Sequence, residues 1–147
     1  VRTIRGQISP HRQIIVDVAV QPAQVIVPGV EPTPWIPVGT ASALRGLIDT
    51  GASGTCITRS AAKSMGLRSR GKARVGGVGG IETHNRFRFV LGALYDDGGE
   101  RGYFWFEEVS GVDFPDNGDF DVLIGMDVIN QGDLTVTRDG HFHWVLG

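Results

Sequence analysis

Leu47-Ile48-Asp49-Thr50-Gly51-Ala52-Ser53 is the stretch on which the reading of this sequence turns. Residues 43–48 read as an apolar strand that delivers a carboxylate at its end, and a Thr-Gly turn follows at once. Gly51 allows the backbone to turn tightly and brings its N–H toward the Asp49 carboxylate. The Thr50 hydroxyl is placed to lock the loop, and Ser53 to hydrogen-bond the carboxylate from outside. An isolated Asp-Thr-Gly is ordinary turn chemistry, so its weight depends on the rest of the chain.

Two further segments accompany it. Val75-Gly76-Gly77-Val78-Gly79-Gly80-Ile81 is a glycine-rich hairpin tip flanked by apolar residues, and Asp121-Val122-Leu123-Ile124-Gly125-Met126-Asp127 is a short apolar strand whose glycine opens a helix. A strand ending in Asp-Thr-Gly-Ala, a Gly-rich flap, then an apolar-apolar-Gly segment with a short helix, in that order, resembles the retropepsin-like (retroviral-type) aspartic proteases over about residues 12–136. The resemblance implies an all-β fold, a closed β-barrel with a Gly-rich flap hairpin and one or two short helices. It implies an aspartic endopeptidase with Asp49 as catalytic acid/base and Thr50, Gly51, Ala52 and Ser53 as the active-site loop. Val78, Gly79, Gly80 and Ile81 would be the substrate-binding flap, and Ile48, Ala52, Val78 and Ile81 apolar pocket walls. The substrate would be an extended peptide or protein segment, and no metal or cofactor is required. Such chemistry needs two aspartates sharing a proton. The other candidate aspartates, Asp121, Asp127, Asp133 and Asp139, are followed by Val, Val, Leu and Gly, so none opens a second Asp-Thr-Gly. The resemblance therefore implies a homodimer, with Asp49 of each chain at the two-fold axis.

Length and composition fit that frame. The chain has 147 residues, 41% of them hydrophobic and 20% charged, enough for a core in a single domain over 1–147. The 22 glycines suit many short strands joined by tight turns. Cys56 is the only cysteine, which excludes an intrachain disulfide framework and fits a reducing compartment such as the cytoplasm. No apolar run reaches the ~18 residues of a membrane span, so no membrane contact is expected within this chain. Residues 1–6 carry Arg2 and Arg5 with no apolar run behind them, so no secretory leader is expected there.

Residues 13–20 read as a strand, and the proline-rich 21–37 as a long excursion, within an insertion near 21–40. Residues 60–66 read as a short helix, capped by Thr58 or Ser60 and stopped at Gly66. Strands are expected within 82–94 and at 103–109, and a polar loop at 111–119, with a second insertion near 96–119. A strand over 121–124, a helix near 126–130 and a final hairpin turning at Asp139-Gly140 complete the pattern.

Charge is uneven. Arg59, Lys63, Arg68, Arg70, Lys72 and Arg74 form a basic stretch without an acid, while residues 96–121 hold nine acids against Arg101 alone. With a net charge of −2 and no aromatic interleaving the basic stretch, these read as solvated faces, and no nucleic acid is expected as partner. His141 and His143 read as ordinary strand histidines and Cys56 as a small core residue. Two rivals stay open. One is a non-catalytic or latent module of the same fold, used for dimerisation or peptide binding; the other is a nucleic-acid-binding β domain.

Overall fold

The computed structural model describes residues 1–23, 27–31 and 44–147. Most of the proline-rich excursion, and Ala43 at the start of the expected 43–48 strand, lie outside them. Among the described residues ten strands and two short helices follow in order: β1 (Arg2–Gln7), β2 (Ile14–Pro22), β3 (Leu44–Ile48), β4 (Cys56–Thr58), α1 (Arg59–Ser64), β5 (Lys72–Gly77), β6 (Gly80–Asp97), β7 (Glu100–Phe114), β8 (Val122–Ile124), α2 (Met126–Ile129), β9 (Gly132–Val136) and β10 (His141–Leu146).

Six strands close into a barrel. β2, β3, β8, β4, β7 and β6 pair in that order, and β6 returns to β2 through Val18↔Ala93 and Val20↔Leu91. Period-2 alternation fills the interior: Val16, Val18 and Val20 from β2, Phe89 and Leu91 from β6, Val122 and Ile124 from β8, all buried. Gly46 has no room for a side chain, since a Cβ there would lie 2.8 Å from Val18 Cγ1 and 3.1 Å from Ile124 Cδ1. A separate three-stranded antiparallel sheet, β1-β10-β9, covers one side. It is fastened by Trp144, which is fully buried, stacks on Phe106 at 5.6 Å and donates its indole N–H to the Ile129 carbonyl at 3.3 Å.

The all-β barrel with short helices is as expected, and several details differ. The expected polar loop at 111–119 begins only after Phe114, because β7 continues through Gly111–Phe114 to pair in parallel with β4. Residues 96–114 form the turn and second strand of one long β6–β7 hairpin. Its turn, Gly98-Gly99, has φ of 61° and 84°, the two-residue hairpin geometry that glycine allows. β1 was not expected, since Arg2 and Arg5 mask its alternation; its inward residue Ile4 is buried, while both arginines find acids, Glu100 and Asp97. α1 begins one residue early, with the Thr58 hydroxyl accepting the Ala61 N–H, and ends in a Schellman turn: Gly66 at φ 71°, with Leu67 N–H donating to the Ala62 carbonyl at 2.9 Å.

Candidate active site

The barrel's topology places the Asp49 loop. β8 lies between β3 and β4, parallel to the first and antiparallel to the second. A chain leaving β3 and returning as β4 must therefore cross the end of β8, and residues 49–55 do so. The Asp49 N–H donates to the Ile124 carbonyl at 2.9 Å, extending the β3–β8 ladder to the carboxylate-bearing residue. Asp49 is half-buried. Its Oδ1 accepts the Gly51 N–H at 2.9 Å, and a Cβ on Gly51 would sit 3.2 Å from that oxygen.

The outer turn of the loop is held from α2. Met126 N–H donates to the Ala52 carbonyl (2.8 Å), Asp127 N–H to the Ser53 carbonyl (3.2 Å) and Gly125 N–H to Thr55 Oγ1 (3.1 Å). Thr55, buried, donates its hydroxyl to Asp127 Oδ1 at 2.8 Å. Gly125 lies against the loop so closely that a Cβ would be 2.5 Å from the Gly54 carbonyl carbon and oxygen. The first three N–H groups of α2 and its cap, those of Gly125, Met126 and Asp127, thus meet oxygens of the loop.

Of the predicted site residues, Asp49, Thr50, Gly51, Ala52 and Ser53 form this one loop. Thr50 and Ser53 are exposed, and Ser53 contributes its carbonyl rather than its hydroxyl. Ile48 belongs to the barrel core and is buried, so it cannot wall a pocket: along β3 its side chain alternates inward. Val78, Gly79, Gly80 and Ile81 sit at the tip of the β5–β6 hairpin, closed by the Gly77↔Gly80 pair. Val78 is fully exposed and Ile81 largely so, and Gly80 has φ 106°. Among the described residues no hydrogen bond joins this tip to the Asp49 loop.

Sequence reasoning missed the residues that hold these two pieces. Thr55 and Asp127 are 72 positions apart; nothing local marks them as partners. The hairpin is rooted by a second cluster. The Asp113 carboxylate, 5% exposed, accepts from His84 Nδ1 (3.0 Å), Asn85 Nδ2 (3.2 Å) and Arg59 Nε (3.4 Å). An ionised carboxylate only accepts, so His84 carries its proton on Nδ1, while its Nε2 lies 3.3 Å from Glu82. Burial pushes the Asp113 carboxyl upward, but the hydrogen bonds of His84 and Asn85 and the Arg59 charge outweigh it and hold the group below the usual carboxylate range. Cys56, beside the Asp49 loop, has its thiol pushed up by burial and then by the negative charges of Asp127 and Asp49, so it stays protonated and is a poor nucleophile. Among the described residues no group of three or more His, Cys, Asp or Glu is arranged to hold a metal ion, and no helix is long and apolar enough to cross a membrane.

Comparison with known proteins bears on this geometry. A family model described as aspartyl protease matches residues 38–128, more than half of the chain. Among solved structures, a retropepsin-like aspartic protease from Rickettsia conorii superposes with a TM-score of 0.60 at 12% identity, covering 97% of this chain and 89% of that one. The retroviral protease-like domain of Ddi1 from Leishmania major gives a TM-score of 0.42 at 12% identity over 86% of this chain and 82% of that one, too low a score to carry weight. No curated protein matches the sequence. The match brackets the Asp49 loop, the β5–β6 hairpin and the Gly125 segment together, and the chain belongs to the aspartyl protease family, with a retropepsin-like fold.

Proposed function

We propose that the protein is an aspartic endopeptidase that works as a homodimer, with Asp49 of each chain meeting at one catalytic centre. The observation that carries this reading is the Asp49 loop: a half-buried carboxylate at the end of β3, braced by backbone hydrogen bonds from β8 and α2, in a chain holding a single Asp-Thr-Gly. Two such carboxylates close together cannot both ionise, so they share a proton. The ionised one takes a proton from water as its oxygen attacks the peptide carbonyl carbon; the protonated one donates to the carbonyl oxygen. Collapse of the tetrahedral intermediate breaks the C–N bond as a proton passes to the leaving amine. Thr50, exposed beside Asp49, is available to contacts across the two-fold axis. The glycine-rich hairpin would close over an extended peptide, with the exposed Val78 and Ile81 offering apolar contact.

The test is Asp49→Asn, assayed on unfolded casein and on a peptide library. Cleavage should fall by at least about 100-fold, as expected for loss of a general base, with circular dichroism unchanged. Peptide binding without cleavage by the wild-type chain would instead identify a latent peptide-binding module, and full activity in the variant would remove the mechanism.

A further inference from the structure

A cavity of about 410 Å³ opens between α1, the turn that follows it and the root of the β5–β6 hairpin, and Asp49 does not line it. Its apolar wall is Ala62, Leu67 and Phe87; its polar wall is Arg59, Lys63 and Asn85, with Asp113 at the base. The Asp113 charge is already met by Arg59, His84 and Asn85. Of the two cations that line the cavity, Arg59 is thereby paired and Lys63 is not. Lys72 reaches it by bonding the Asn85 amide oxygen, and Arg68, Arg70 and Arg74 continue the same exposed stretch. Among the described residues, none of Lys63, Arg68, Arg70, Lys72 and Arg74 has an acid within ion-pair distance, and only Arg59 of the basic stretch does. Arg86 and Arg88 lie on the opposite face of β6 from Asn85 and Phe87 by strand alternation, outside this rim.

We propose that this cavity and its basic rim are a docking site for an acidic segment of a protein, an Asp/Glu-rich stretch whose carboxylates meet the rim while one side chain enters the cavity. Six cations within residues 59–74, with no acid among them, give this exposed stretch a local positive charge on a chain of net charge −2, and such a patch sets both partner sign and encounter rate. The apolar wall suits a side chain stem. A nucleic acid is the poorer fit, because residues 59–74 present no aromatic on which a base can stack. Docking itself is independent of catalysis; that it delivers a substrate to the cleft rests on the endopeptidase reading.

The test uses the full chain carrying Asp49→Asn and fluorescence anisotropy. A labelled Glu/Asp-rich peptide of about twelve residues is compared with its Gln/Asn counterpart at low and physiological salt. The acidic peptide should bind at least about tenfold more tightly, weaken as salt rises, and lose that advantage in Lys63→Glu/Arg70→Glu. Lys63→Gln, with the charge removed but not reversed, should give an intermediate loss, and its thermal midpoint checks that the fold is kept. Equal binding of the two peptides, or an acidic peptide indifferent to both variants, overturns the proposal. So does a single-stranded oligonucleotide of equal length that displaces the peptide at lower concentration. If docking fails while Asp49-dependent cleavage persists, only the docking site falls.

Discussion

At the scale of single residues, the most constrained position in the site is Gly125 rather than Asp49. A methyl group there would press on the Gly54 backbone at 2.5 Å, and backbone cannot rotate away as a side chain would. The converse does not hold: a Cβ on Gly54 would meet nothing within 4 Å. Gly125→Ala should therefore cost about 1–3 kcal/mol and disturb the loop that carries Asp49, while Gly54→Ala should be nearly silent. Urea midpoints of the two variants check this, and equal effects would show that the loop accommodates the methyl. Much at this scale could be read directly. Asp49, Gly51 and Gly125 lie in local motifs, each a few residues long, whose chemistry is visible in the string. Thr55 and Asp127 could not be read, because their bond exists only once β8 has been placed between β3 and β4. The expected role of the Ser53 hydroxyl gave way to its carbonyl for the same reason: the donors that meet it come from α2.

Among the elements, β6 does two jobs, with Asp113 marking the boundary. Its first residues belong to the glycine-rich hairpin and its later ones to the barrel. Asp113 is held ionised below the ordinary carboxylate range, so the folded chain binds fewer protons there than the unfolded one. Its contribution to stability is complete above that ordinary range and is lost as pH falls through the lowered folded value. Asp113→Asn should therefore be less stable than wild type at neutral pH, by roughly 1–3 kcal/mol. The gap should narrow as pH is lowered from about 7 to about 3. Thermal midpoints of both proteins across that range test it; a gap independent of pH would mean that the carboxylate's charge is not what His84, Asn85 and Arg59 hold. Elements with short-range signals were legible: the strand at 13–20, the capped α1 and the Asp139-Gly140 hairpin. The Gly98-Gly99 turn carried an equally clear signal, but its residues fell within the expected insertion near 96–119, whose acids read as a solvated face. β1 was hidden because Arg2 falls on the same face as Ile4 and Arg5 on the other, so no clean apolar face shows in its six residues.

For the whole molecule, the proposed dimer raises the question of where a second copy would attach. β1 and β10 already pair within one chain, with Arg2↔Leu146 through Gln7↔His141 in register. In the proposed dimer a partner would use an outer edge of the β1-β10-β9 sheet or a surface beside Thr50, leaving the strands already paired in place. One chain carries half of the proposed centre, so specific activity should fall on dilution through the dimer dissociation constant. Activity per chain measured across a concentration series, with sedimentation in parallel, checks this; an active monomer would defeat the dimer. A chain of many short strands was legible from glycine content and alternation, and the closed barrel only through the family resemblance, whereas the pairing of the termini is a contact across nearly the full chain length and leaves no local trace. The continuity of β6 has a mechanical consequence. A single strand of 18 residues, roughly 55–60 Å when extended, behaves as a beam clamped where His84 and Asn85 meet Asp113, with its glycine end projecting as a cantilever. The tip then moves by elastic bending about that clamp rather than by swinging on a loose joint. Because deflection of a beam grows steeply with its free length, the point where the β6–β7 ladder and the Asp113 contacts end would set how far the tip travels under a given load.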